Sequence, residues 1–431
     1  MGGQASVAAV KGFRDVLPHE SRLWRQLEAT AAEVFARHDF HPVVLPIVER
    51  SELFARSLGE GTDVVEKEMY TFEDRDGTML TLRPEATAST VRAYVESPLG
   101  AQGQAARFWY AGPMFRRERP QRGRYRQFHQ LGVEAFGQAE PLVDAELLVM
   151  VMGLLERVGV AETRLDLGSL GDGACRPAYR ELLATFARSR RDALCGDCHR
   201  RIEQNPLRVL DCKVPSCRAT LRDAPVMLDH LCPACQEHFD TVRTLLDREG
   251  VAYTLAPRLV RGLDYYNRTA FEIAAGGLGA QDAVGGGGRY DGLVAALGGP
   301  DVPAFGFALG LERLALAASA VADESGPAMV ILPLVPEAAG PALTLATRLR
   351  AGGLRVALEP PGRSLKALLR AANRRQARAA LLLGGDELAA GRGTVRDLVR
   401  GIDHHLALPL ELDTADLVRW VREHDERENV G

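Results

Sequence analysis

Residues 114–134 read MFRRERPQRGRYRQFHQLGVE. Six arginines fall between Arg116 and Arg126 against one acidic residue, Glu118, and Phe115, Tyr125 and Phe128 stand around them. Guanidinium forks take phosphate oxygens two at a time, and a flat ring stacks on a base. The pattern suits a polyphosphate joined to a purine. A solvated basic hairpin or a nucleic-acid patch is the plainer alternative. The flanks favour the first reading: residues 104–137 read as strand, loop, strand, with the cations in the loop.

A chain of 431 residues is too long for one ordinary core, so two or three domains are expected. Its formal net charge is only -4, so any binding of nucleic acid must rest on local patches. No apolar run approaches the length of a membrane span. The first residues, MGGQASVAAVKG, lack the charged and apolar segments of a signal peptide. A cytoplasmic protein without a membrane partner is expected. In that compartment clustered cysteines point to metal or free thiols over disulfides.

Outward from the arginine loop, residues 20–38 place Leu23, Leu27, Ala31, Val34 and Phe35 at helical spacing. HPVVLPIVER (41–50) follows as a strand broken by Pro46. TMLTLRPEAT (78–87) reads as a strand that ends in polar residues, and DAELLVMVMGLLERVG (144–159) as a helix stopped by Gly159. Residues 176–240 are rich in arginine and cysteine and look inserted. GGGG at 285–288 lacks the spacing of a dinucleotide fingerprint, and no Walker sequence is present. Four glycines allow either a hairpin turn or a close approach to the backbone. The composition breaks at VADESGP (321–327); beyond it, strands and helices alternate in an α/β pattern with a mostly parallel sheet, closed by a hairpin and a helix.

These segments together resemble a class II aminoacyl-tRNA synthetase, and within that class the histidyl-tRNA synthetase family. KGFRDVLP (11–18) is similar to the family's opening. Phe115, Arg116 and Glu118, then Arg124 and Phe128, match the second class II motif. GFALGLER (306–313) matches the third, and RGLDYYN (261–267) and GGGGRYDGL (285–293) match signatures of the histidine-specific family. The resemblance implies an α+β catalytic domain over 1–325 with a mainly antiparallel sheet. It also implies a small inserted domain at 176–240 and an α/β anticodon-binding-type domain at 326–431.

It further implies ligation of L-histidine to tRNA(His) through a histidyl-adenylate, with release of AMP and pyrophosphate. Arg116 and Arg261 are then the catalytic cations on the α-phosphate. Arg124 and Arg313 hold the β- and γ-phosphates of bent ATP, Phe128 stacks on adenine and Glu118 reads its edge. Magnesium arrives with the ATP. Glu85, Thr87 and Gln130 bind the α-amino group, Glu134 and Tyr266 read the imidazole nitrogens, Tyr265 lines the pocket, and Arg116 and Arg261 reach the carboxylate. Where the family more often has glycine, this chain has Ala86.

Cysteines occur as Cys195-x2-Cys198, Cys212-x4-Cys217 and Cys232-x2-Cys235. Such spacing suits tetrahedral zinc, with four of the six sufficient unless a second site exists. His199, His230 and His238 are further candidates, and Cys175 is expected to stand apart. In the tail, Lys366, Arg370, Arg374 and Arg378 recur every four residues, a basic stripe that could be a solvated face or meet tRNA backbone. ARSRRDALCGDCHRR (187–201) is a second basic patch, and Gln121 with Arg122 could meet the acceptor end.

Two other readings compete. A synthetase-like regulatory subunit of ATP phosphoribosyltransferase would tend to lose motif arginines and the tail, and both are present here. A pure RNA-binding module would not need adenylate-site arginines beside a histidine pocket. HPVVLPIVER resembles the first class II motif, which implies a homodimer.

Overall fold

In the computed structural model, residues 7–59, 62, 64–278, 282–318, 326–407, 415, 416, 418 and 419 are described. Residues 321–325 of the composition break at 321–327 lie outside them, as does the expected terminal helix apart from residues 415, 416, 418 and 419. The chain divides into two compact units, Met1–Ala322 and Asp323–Gly431.

The first unit is built on an eight-stranded sheet. Its order is His41–Pro42, Ala106–Phe115, Gln127–Phe136, Ala304–Gly310, Ala283–Arg289, Asn267–Ala274, Arg164–Ser169, Thr254–Leu255. Only the two edge pairings are parallel; the five inner ones are antiparallel. Strand alternation separates core from site. Along Gln127–Phe136, Leu131, Val133 and Ala135 enter the main core, while Phe128 and Gln130 line a cavity on the other face. The helices Pro18–Arg37 and Pro141–Arg157 cover the core face with Trp24, Leu27, Phe35, Leu147, Leu148 and Leu154. Each such side chain contributes roughly 1.5–3 kcal/mol on burial. Pro18 and Pro141 open these helices, where the missing N–H costs nothing.

Under this sheet an ion pair is fully buried. Arg289 reaches Asp144 and Asp291, and Asp144 also accepts from His238 at 2.8 Å. The tetraglycine run is neither loop nor turn. Gly285–Gly288 lies inside the strand Ala283–Arg289, paired on both sides. HPVVLPIVER forms two short strands, His41–Pro42 and Val48–Arg50, with Pro46 between them. The second of these starts a separate antiparallel sheet with Met79–Leu82 and Tyr70–Glu73.

Residues 176–240 are helical and carry their own apolar cluster, with Tyr179, Leu183, Ile202, Val209 and Met227 packed around buried cysteines. The helix Pro233–Arg248 continues past residue 240 and sends Phe239, Val242 and Leu246 into the main core.

The second unit has a five-stranded sheet in the order Val356–Leu358, Met329–Pro333, Ala379–Leu383, Arg392–Asp397, Ile402–Ala407. Its first two pairings are parallel and its last two antiparallel, so the mostly parallel expectation holds for half the sheet. The expected basic stripe is shorter than four residues. The helix Leu365–Arg374 ends at Arg374, and Gln376 turns the chain at φ 54°, so Arg378 lies beyond it, half-buried beside the next strand. Lys366, Arg370 and Arg374 remain as exposed cations on one helix face.

Candidate active site

A cavity of about 530 Å³ opens on the polar face of the eight-stranded sheet. Of the twelve residues that the resemblance assigns to histidine and ATP, eleven line it: Glu85, Thr87, Arg116, Glu118, Arg124, Phe128, Gln130, Arg261, Tyr265, Tyr266 and Arg313. The twelfth, Glu134, lies directly behind the wall and is wholly buried.

Each cation is held in place by neighbouring groups. Arg116 donates through Nε to the Pro84 carbonyl at 2.8 Å, and its guanidinium carbon lies 5.2 Å from the Phe128 ring centre. Arg124 pairs with Glu118, whose carboxylate is also 3.9 Å from Arg116. In this structure Glu118 therefore braces two arginines. Arg313 donates to the Ala283 carbonyl at 2.5 Å and to Gly123 at 3.4 Å. Arg261 meets Glu272 at 3.1 Å and overlies the Tyr266 ring at 5.5 Å. Burial pushes Arg116, Arg124 and Arg313 below the ordinary arginine range. Arg261 pushes Arg116 the same way, and Arg313 and Arg116 so act on Arg124. All stay cationic, since guanidinium does not deprotonate in proteins. The result is crowded positive charge that an anionic ligand would relieve. Among the described residues, buried Arg261 Nε and Gln130 Oε1 have no hydrogen-bond partner. Such atoms are costly unless a ligand meets them.

The other end of the cavity is acidic and phenolic. Glu85 caps the helix Thr87–Glu96, accepting from Thr87 N at 2.7 Å and Ala88 N at 2.9 Å. A carboxylate suits a helix N-terminus, yet burial outweighs these bonds and raises Glu85 above the usual carboxylate range. Ala86 is buried at the base of this turn and leaves both neighbours in place. Glu134 accepts from Thr87 Oγ1 at 2.7 Å, from Tyr110 at 3.1 Å and from Tyr290. Burial lifts it to about 8, against the pull of these hydroxyls. Tyr265 and Tyr266 lie 4.5 Å apart between ring centres, and Tyr265 stands edge-on to Tyr290 at 5.6 Å. Burial raises Tyr265 and Tyr290 well above the ordinary tyrosine range, so both remain hydroxyl donors.

Sequence reasoning missed four participants. Tyr290 sits inside the quoted GGGGRYDGL, and its place directly after the buried arginine was the available signal. Glu312, beside Arg313, accepts from the His129 N–H at 3.0 Å and approaches His129 Nδ1 at 3.1 Å, which ties the third motif to the second. Glu272 and Tyr110 lie in ordinary strand sequence and carried no signal.

The cysteines separate into two groups. Cys195, Cys198, Cys212 and Cys217 converge with all four sulfurs within 4.8 Å, whereas Cys232 and Cys235 join Cys175 and Asp172. Cys175 therefore does not stand apart. None of the three candidate histidines enters either group: His199 reaches the Arg191 carbonyl, His238 reaches Asp144, and His230 stacks on Tyr179.

The family model of histidyl-tRNA synthetase matches residues 12–314, and that of an anticodon-binding domain matches residues 328–424. The chain belongs to the histidyl-tRNA synthetase family. A histidine–tRNA ligase of Trichlorobacter lovleyi is 49% identical over 96% of this chain and 97% of its own. One from Oleidesulfovibrio alaskensis is 51% identical over 92% of this chain and 96% of its own. The crystal structure of S. aureus apo histidyl-tRNA synthetase matches with a TM-score of 0.79 at 33% identity, covering 97% of this chain and all of that one. A Bacillus halodurans structure described as an ATP phosphoribosyltransferase regulatory subunit or histidyl-tRNA synthetase shares the fold, with a TM-score of 0.64 at 20% identity. The class II synthetase architecture, a catalytic sheet domain followed by an anticodon-binding domain, is thus that of this family.

Proposed function

We propose that this protein is a histidine–tRNA ligase that activates L-histidine with ATP and transfers it to tRNA(His). Relatives bearing that name match nearly end to end at about half identity, tail included. The regulatory-subunit reading lacks such support. The observation that carries the mechanism is the meeting of Arg116, Arg124, Arg261 and Arg313 in one cavity with Glu85, Thr87 and Gln130.

A carboxylate is already a nucleophile, so adenylation needs no general base. The barrier is repulsion between anions and the charge that grows on the phosphate oxygens. Positioned cations lower it. Arg116 and Arg261 flank the α-phosphate and steady the histidine carboxylate. Arg124 and Arg313 hold the outer phosphates, and Phe128 supports the base. Magnesium enters on the ATP. Glu85 and Gln130 face the α-ammonium group. Glu134 acts through Thr87 and Tyr290, and with Tyr265 and Tyr266 supplies the polar wall for imidazole. A site that pairs both ring nitrogens rejects analogues lacking them.

For tRNA, the reading rests on the exposed Lys366, Arg370 and Arg374 and on a second cavity of about 410 Å³ beside the insertion, which includes Arg176, Arg180, Arg200, Arg201 and Arg208 in its wall. A homodimer is supported by apolar exposure around the first motif. Val44 is 99% exposed, and Ile47, Val48, Phe72 and Met79 also face outward. The four sulfurs of Cys195, Cys198, Cys212 and Cys217 suit a structural zinc: Cys195 and Cys212 are 3.8 Å apart, the edge of a tetrahedron with bonds of about 2.3 Å. The protein acts in the cytoplasm, and among the described residues no helix is long and apolar enough to cross a membrane.

Aminoacylation of a tRNA(His) transcript with labelled histidine tests this reading. Charging that requires ATP and ignores other amino acids is expected. Charging with another amino acid, or none by folded protein, would overturn it.

A further inference from the structure

At the base of the insertion, Asp172 and Cys175, which lead into it, meet Cys232 and Cys235 near its end, with one ligand atom of each within 4.8 Å of all the others. Asp172 Oδ1 is 3.7 Å from Cys175 Sγ and 3.8 Å from Cys232 Sγ. A tetrahedral ion bound at about 2.3 Å by sulfur and about 2.1 Å by oxygen requires S···O edges of about 3.6 Å. These two edges therefore need to tighten by only tenths of an ångström, and the remaining ones lie within 4.8 Å. We propose that Asp172, Cys175, Cys232 and Cys235 form a second structural zinc site, separate from the four-cysteine group, that clasps the two ends of the insertion.

Three features favour a metal over free thiols or a disulfide. Three thiols are an odd number, so any disulfide leaves one sulfur over beside a carboxylate. Cys175 and Cys235 are buried, which suits a closed structural site. The mixed S/O donor set fits zinc better than a soft thiolate-seeking ion such as Cu(I). The surroundings also resemble those of a metal ligand. Arg268 holds the other oxygen of Asp172 at 3.4 Å, the Ala174 N–H donates to Oδ1 at 3.0 Å, and the Asp172 N–H points at Cys175 Sγ at 3.4 Å. Partners of this kind orient ligands in metalloproteins.

The clasp lies next to the histidine pocket. Arg268 pairs in the left-handed region at φ 45°, exchanging backbone hydrogen bonds with Leu170 and Gly171 at 2.7 and 2.8 Å. Arg176 ties the Leu170 and Gly171 carbonyls to the Tyr266 carbonyl. An ion at Asp172 would thus fix the segment from which Tyr265 and Tyr266 enter the cavity.

The test is metal content of the full-length protein, purified without chelator or affinity metal. About two zinc ions per chain are expected, falling to about one in Cys235→Ser and separately to about one in Cys217→Ser. Because either variant could fail to fold, X-ray absorption of the wild-type protein provides a second reading. Two sites of this composition average about 3.5 sulfurs and 0.5 oxygen per zinc. One zinc per chain with four sulfurs, no zinc, or Cys235→Ser retaining the full wild-type content would each overturn the proposal.

Discussion

Arg261 lies against the face of Gly286 so closely that a methyl group there would sit 2.6 Å from its guanidinium nitrogen and equally close to the Phe271 carbonyl. The missing side chain is what lets an arginine from a loop lie flat on the sheet beside the cavity. Glycine thus does positional work in mid-strand, at the usual cost in strand stability.

Gly286→Ala is therefore expected to lose about 1–3 kcal/mol of stability by overpacking and to lower the rate of histidine activation. Urea unfolding and pre-steady-state adenylate formation measure the two. If Arg261 displacement is the cause, adding Gly286→Ala to Arg261→Ala costs little further rate.

Much of this site was readable because its chemistry is carried by unusual residues at fixed spacing. Arg116, Glu118, Arg124 and Phe128 fall within thirteen residues too polar to be core, and Arg313 ends a run with glycine at 306 and 310. What was hidden depends on contacts between distant ordinary residues. Asp172 and Cys175 looked unremarkable until the fold placed them against Cys232 and Cys235. The tetraglycine run admitted a turn because periodicity is blind in residues without side chains, whereas its neighbours on both sides pair it into the sheet. Arg378 fitted a four-residue period that the helix itself abandons after Arg374. The closing hairpin was legible and makes the last pairing antiparallel, whereas the antiparallel pairing of Ala379–Leu383 with Arg392–Asp397 carried no mark in the sequence.

Burial lets Glu134 hold a proton up to about 8, and Glu85 is raised as well. A cation brought beside them favours the ionised forms. Histidine binding at pH 7–7.5 is expected to release about half a proton to one proton, less in Glu134→Gln. Calorimetry in buffers of different ionisation enthalpy measures it, and heats independent of buffer would contradict it. The same shift has a sign for stability. A carboxyl raised from 4.5 to about 8 binds more protons folded than unfolded in that window. Its contribution is therefore lost as pH rises through the window.

Tyr290 donates to Glu134 from behind the pocket wall. Tyr290→Phe leaves a buried carboxyl short of a partner, a loss of about 1–3 kcal/mol. The expected result is a KM for histidine raised about 5- to 160-fold, with the KM for ATP within about twofold. Equal changes in both would argue for general disruption of the sheet.

Asp144 is wholly buried and neutralises Arg289, which is equally buried. Asp144→Ala leaves that cation with Asp291 as its one remaining carboxylate partner among the described residues and is expected to cost about 3–5 kcal/mol. The paired replacement Asp144→Leu with Arg289→Met should cost less than the single one. Denaturant midpoints compare them, and a single variant as stable as wild type would remove the pair from the account of the core.

The central claim is that arginines from separate stretches of chain act together on one α-phosphate beside a histidine pocket. Histidine-dependent ATP–pyrophosphate exchange without tRNA tests it most directly, in wild type and in Arg261→Ala. The account predicts exchange by wild type and a fall of roughly 100- to 1,000-fold in the variant, with an unchanged melting profile. A folded Arg261→Ala protein that exchanges at the wild-type rate, or a wild type that exchanges without histidine, would contradict it.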